Sequence, residues 1–100
     1  MIVVTQLLYV EAGREADFLA FESIVLPLLP RYGGELLLRL RPDASSFVAG
    51  TREAPYEIHL VQFPDEDALA RYLADPSRLA AVHLKDRSVR GTLVTKGVLG

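Results

Sequence analysis

The chain has 100 residues, half of them apolar, with 11 basic and 13 acidic side chains and a formal charge of −2. That is enough for one domain, residues 1–100, and too little for two. The charge balance excludes a strongly basic nucleic-acid or anionic-membrane binder. No apolar run reaches the roughly 18–20 residues of a membrane helix, and the lack of cysteine excludes disulfides, thiolate metal sites and a cysteine nucleophile.

The longest uncharged stretch, Met1–Val10, contains Thr5 and Gln6 and lacks a basic leading segment, so no signal peptide is expected. A cysteine-free chain without such a leader agrees with a cytoplasmic location. The apolar share stands at the upper edge of the usual 45–50% or so. In a domain with much surface for its volume, that surplus points to a face covered by another subunit.

The elements read as follows. Met1–Val10 is β-branched and aromatic with no helical period, a strand buried on both sides. Gly13 breaks it. A helix is predicted from Arg14 to Leu29, with Phe18, Phe21, Ile24, Val25, Leu28 and Leu29 forming one stripe. Pro27 should loosen its last turn, Pro30 ends it, and Gly33-Gly34 turns the chain. Glu35–Arg41 is a second strand, predicted to place Leu36, Leu38 and Leu40 on one face and Glu35, Leu37, Arg39 and Arg41 on the other. Pro42–Pro55 is a long loop in which Phe47 and Val48 are expected to dock on something. Tyr56–Phe63 is a third strand, ended by Pro64. Asp65 caps a helix carrying Ala68, Leu69, Tyr72 and Leu73, and Asp75-Pro76 restarts it. A polar connection, Asp86–Arg90, leads to a fourth strand, Gly91–Val98.

The order β-α-β-β-α-β predicts an α+β, ferredoxin-like fold: a four-stranded antiparallel sheet with two helices on one face. Two helices cover one side of such a sheet. The open side is therefore expected to meet a second copy of the chain, giving a homodimer.

The run PLLPRYGGELLLR followed by PYEIHLVQFPDEDALARYLADPSR resembles the dimeric α/β-barrel superfamily. The likeness lies in Tyr32-Gly33-Gly34 after a proline-containing helix end, Phe63-Pro64 closing a strand, Ala68 and Tyr72 on the next helix, and Asp75-Pro76 opening another. It covers the whole chain in order and is nearest to small single-domain proteins of unknown function, similar to antibiotic-biosynthesis-monooxygenase-like domains. These motifs are structural punctuation, so they bear on fold more than on function. The resemblance implies a homodimer whose two sheets face each other, pockets between sheet and helices, and chemistries that include cofactor-free monooxygenases and isomerases.

Arg39 and His59 are the candidate catalytic residues, because an ionisable group central in a strand needs a reason to be there. Glu57 shares a strand face with His59, and a carboxylate beside an imidazole is expected to raise its pKa and fix its tautomer for acid–base work. The Arg39 fork suits a carboxylate or enolate oxygen. The alternative is a structural network of Glu35, Arg39, Glu57 and His59 at the dimer interface. Leu36, Leu38, Leu40, Ile58 and Leu60, the smoother apolar set, are expected to pack on the helices, so that Arg39 and His59 face the barrel interior and the partner, and Leu37, Val61 and Phe63 still need cover. Tyr9, Phe18, Tyr32 and Tyr56, with Glu57, are the candidate substrate-binding residues; ordinary packing is the competing account of the aromatics. The cations Arg78, Lys85, Arg87 and Arg90 beside His83 read as charges placed near a helix C-terminus. No metal or cofactor motif is present: Asp65-Glu66-Asp67 is explained by helix capping, and His59 and His83 have no zinc spacing.

Three functions follow as expectations. One is a binding or accessory protein for a small molecule. Another is a cofactor-independent monooxygenase or isomerase acting on an aromatic or polyketide-like ring, with His59 as base and Arg39 at a developing oxyanion. The third is a structural dimerisation module.

Overall fold

The β-branched opening run forms strand β1, Ile2–Val10, in a computed structural model that describes residues 1–98. Helix α1 follows over Glu15–Val25. Beyond Val25 the chain tightens into a 3-10 segment, Leu26–Tyr32, because Pro27 and Pro30 donate no backbone hydrogen bond. Gly33 ends that segment at φ +70°, and an added Cβ there would stand 2.8 Å from Pro64 Cγ, so glycine serves both the turn and the close approach. Strand β2 is Glu35–Leu40, strand β3 is Glu57–Phe63, helix α2 is Glu66–Leu73 and helix α3 is Pro76–Ser88. Asp65 and Asp75 cap the two helices as their spacing predicts, each accepting from backbone N–H groups of the first turn.

Strand β4, Val89–Val98, starts at once after α3. The polar connection expected over Asp86–Arg90 does not exist. Ser88 Oγ donates to the Leu84 carbonyl and the Ser88 carbonyl accepts from Glu11 N–H, so the helix end is tied on both sides and passes directly into the strand.

The sheet is antiparallel, in the order β2-β3-β1-β4, with the helices on one face. This is the ferredoxin-like plan. β2 and β3 are edge to edge, with Arg39 opposite His59 and Leu40 opposite Ile58. Both edges of β1 are taken, by β3 and β4, and the loop between β2 and β3 returns the chain to pair with its predecessor.

The predicted face assignment is reversed for most of the sheet. Residues directly opposed in antiparallel strands share a face. Ile2, Val4, Gln6 and Leu8 of β1 stand opposite Phe63, Val61, His59 and Glu57, and this is the face beneath the helices. Val61 and Phe63, expected to lie outside, are in the core with Phe21, Val25, Leu28, Leu29 and Tyr72. Ile58 and Leu60, expected inside, lie on the open face with Val3, Thr5 and Leu7. In β2 the register shifts between Leu36 and Leu38. This bulge leaves Leu37 unpaired and inverts the alternation, so Leu36 packs on the core while Leu38 and Leu40 are exposed on the open face.

Candidate functional site

Alternation along β3 aims Glu57 and His59 the same way as Val61 and Phe63, under the helices. On α1, Glu22 falls four residues after Phe18 and three before Val25, so helical spacing carries a carboxylate onto the apolar stripe. The three ionisable side chains meet where α1 crosses β3. Glu57 is 1% exposed, His59 2% and Glu22 5%. His59 Nε2 stands 3.6 Å from Glu57 Oε1 and 3.7 Å from Glu22 Oε2. Both gaps exceed hydrogen-bond length. Glu22 Oε2, Glu57 Oε2 and His59 Nε2 are buried without a hydrogen-bond partner. Orphaned buried polar atoms in one cluster call for a function or an additional molecule.

The charge of Glu57 is met from the strand edge. Arg39 Nε donates to Glu57 Oε1, and the Arg41 guanidinium lies 3.9 Å from the same oxygen. Burial pushes Glu22 up to about 7; the Glu57 charge adds to that rise, and Arg39, Arg78 and Lys85 oppose it. Burial pulls His59 below its ordinary value, with Glu57 acting the other way. The expected rise at His59 is therefore corrected: desolvation outweighs the neighbouring carboxylate.

A cavity of about 170 Å³ opens between sheet and helices. His59, Glu22 and Gln6 supply polar groups to walls otherwise built from Val4, Leu8, Phe18, Phe21, Val25, Leu29, Val61, Phe63 and Tyr72. Arg78 and Lys85 of α3 complete it. Its liners Leu73 and Val94 are exposed, so it reaches solvent where α2 and α3 stand over β4. An apolar void of about 150 Å³ accommodates a benzene-sized molecule, which sets the scale: one ring with a small substituent.

The residues read from sequence are only partly brought together. His59 and Phe18 line the cavity. Glu57 lies behind His59 with Arg39, whose Nε is already donated to Glu57. Tyr56 stacks edge-on against Phe18, at a centroid distance of 5.6 Å, and does not line the cavity. Tyr32 is likewise outside it: its hydroxyl donates to Asp75 and its ring meets Tyr72 edge-on. Tyr9 is under the Arg90 guanidinium, in a separate surface pocket with Arg52, Glu53 and Leu93. Glu35 pairs in register with Gln62 of the open face and joins no network. Glu22 was missed, although a lone carboxylate inside the Phe18–Val25 stripe is a readable signal. Among the described residues, no group of three or more His, Asp and Glu side chains is arranged to hold a metal ion.

No family model matches the chain, and no curated protein matches it. Solved structures do. A protein of unknown function from Rhodopseudomonas palustris superposes with a TM-score of 0.81 at 16% identity, over 95% of this chain and 78% of that one. A dimeric ferredoxin-like protein of unknown function from Jannaschia sp. CCS1 has a TM-score of 0.73 at 22% identity, covering 98% of each chain. A DABB family protein with a ferredoxin-like fold from Mesorhizobium loti has a TM-score of 0.70 at 22% identity, covering 99% of this chain and 97% of that one. These likenesses establish the fold.

Proposed function

We propose that the protein takes a small, largely apolar molecule of one ring into the cavity between sheet and helices. The observation that carries this is the cavity itself: an apolar chamber of about 170 Å³ in which a few polar atoms converge. The volume supports a single ring over a fused polyketide. We further propose that the protein works as a homodimer through its open sheet face. That face presents Leu38, Leu40 and Leu93 to solvent, and the loop before β3 leaves Val48 99% exposed, not docked on the described residues as expected. The dimeric Jannaschia protein of the same fold supports this. In native mass spectrometry of freshly purified protein, the expected mass is that of two chains. Titration with toluene is expected to move the amide resonances of Phe21, Val25 and His59. A monomer removes the dimer; resonances that do not move remove the cavity reading.

The second reading is proton transfer without a cofactor. It is favoured by one observation: Glu22 Oε2 and His59 Nε2, both without partners, belong to side chains that line the same cavity. Burial pushes the two groups in opposite senses, so that below about pH 7 Glu22 holds its proton while His59 is drawn toward its neutral form. Such a pair suits removing a proton next to a carbonyl and returning one to oxygen, as an isomerase or a cofactor-independent oxygenase requires. Arg39 is then a positioning residue that holds Glu57 beside His59 Nε2, the same nitrogen that Glu22 approaches. The likeness to antibiotic-biosynthesis-monooxygenase-like domains is compatible with this chemistry and does not specify it. With acetophenone as a generic carbon acid in D2O, the protein is expected to speed methyl deuteration over buffer, and His59→Gln to lose about 100-fold of that gain. An identical rate in His59→Gln takes His59 out of the chemistry.

A further inference from the structure

Most cations of this chain are spoken for. Among the described residues, Arg14, Arg31, Arg39, Arg41, Arg71, Arg87, Arg90 and Lys96 each pair with a carboxylate. Arg52, Arg78 and Lys85 do not. Arg52 sits in the exposed loop, but the other two both line the sheet–helix cavity. They are seven residues apart on α3, two helical turns or about 10 Å along its axis, and so share a face. Ala81, between them, is buried in the core.

Capping does not account for both. Lys85 is in the last turn of α3, where a cation suits the helix dipole. Arg78 is in the first turn, where the dipole disfavours it. Its guanidinium lies against the rings of Phe21 and Tyr72, 5.8 and 5.6 Å from their centroids, and one terminal nitrogen donates weakly to the Leu73 carbonyl at 3.4 Å. Its Nε is buried with no hydrogen-bond partner. Aromatic stacking fixes where the side chain lies; it leaves that donor unused.

We propose that the cavity selects an anionic ligand, a ring bearing a carboxylate or enolate, whose negative group is held at the α3 side by Arg78 and Lys85 while the ring enters toward His59 and Glu22. The inference rests on the cavity being a ligand site and adds the class of ligand. The physical ground is a division of labour along the chamber. The deep end is apolar and has two buried carboxyl groups beside it, Glu22 and Glu57, which disfavour an anion there. The α3 side carries two part-buried cations that, among the described residues, form no ion pair with a carboxylate. Arg39 is not the anion-binding arginine, because Glu57 occupies it.

Benzoate and benzamide separate the two claims. They share a ring and shape and differ in charge. At pH 6 and low salt, titrations followed by amide resonances are expected to show benzoate binding at least tenfold more tightly than benzamide. Arg78→Gln is expected to weaken benzoate about tenfold, Lys85→Gln less, and neither to change benzamide by more than about twofold. Arg78→Lys should recover part of the preference and so control for the lost aromatic stacking. Raising sodium chloride from 0.05 to 0.5 M should erode the benzoate preference alone. Benzamide binding as well as benzoate overturns the anion selection and leaves the cavity reading standing. A benzoate preference that survives Arg78→Gln/Lys85→Gln also overturns it. Failure of both probes to bind overturns the cavity reading and this inference together.

Discussion

Arg39→Met is expected to cost about 3 kcal/mol of stability, the low end of the range for stranding a buried charge. Glu57 is 1% exposed, and its Oε1 takes the Arg39 Nε–H. Removing the guanidinium leaves that carboxylate facing His59, with only the Arg41 guanidinium at 3.9 Å to offset it. The low end of the range applies because the Arg39 side chain is itself about one third exposed and solvent screens the pair in part. The double variant Arg39→Met/Glu57→Met should return to within about 1 kcal/mol of the parent, since replacing both partners by apolar groups removes the desolvation cost along with the attraction. Urea denaturation of the four proteins in the cycle measures this. If Arg39→Met alone stays within 1 kcal/mol of the parent, the pair is a surface contact and has no positioning role.

Glu22→Gln is expected to stabilise the protein at alkaline pH and to leave it nearly unchanged in acid. Glu22 titrates near 4.5 when unfolded and at about 7 in the fold. Below 4.5 both states hold the proton and the group contributes nothing. Between 4.5 and 7 the folded state holds a proton that the unfolded state has lost, so stability falls as pH rises. Above 7 the loss is complete, about 3 kcal/mol for a shift of this size. The stability of Glu22→Gln minus that of the parent should therefore climb by about 3 kcal/mol from pH 4 to pH 8. His59 contributes with the opposite slope, because a lowered imidazole pKa gives stability that is present above the ordinary histidine range and lost as pH falls through it. That term is common to both proteins and cancels in the difference. Parallel pH profiles for the two proteins would mean that Glu22 titrates normally and is no acid at pH 7.

The chain order of strands and helices, the caps at Asp65 and Asp75, the loosened turn after Val25 and the stop at Pro64 were all legible, because each is a local event. His59, which lines the cavity, was legible as a candidate, since an ionisable residue inside a strand stands out against its neighbours; Phe18 came from the aromatic set, and of Tyr9, Phe18, Tyr32 and Tyr56 it alone lines the cavity. Tyr9 and Tyr56 were chosen as aromatics and Tyr32 for its place at a helix end beside Gly33-Gly34, but neither residue type nor a turn position tells in sequence whether a ring lines a cavity or packs just outside it.

By itself the sequence determined the α+β class, the ferredoxin-like element order and an apolar surplus too large for two helices to cover. Only the tertiary structure decided which face is which. The leucines of β2 alternate without fault in sequence, yet one bulge at Leu37 inverts the alternation, and it is Val61 and Phe63, not Ile58 and Leu60, that pack in the core with Phe21 and Val25. That choice turns Glu57 and His59 inward, brings Glu22 to meet them, and leaves Leu38, Leu40, Ile58 and Leu60 on the open side. The apolar surplus is real and lies on the opposite set of residues from the one that period-two reading picks. A period of two fixes which residues share a face but not which face is buried; packing against the helices makes that choice.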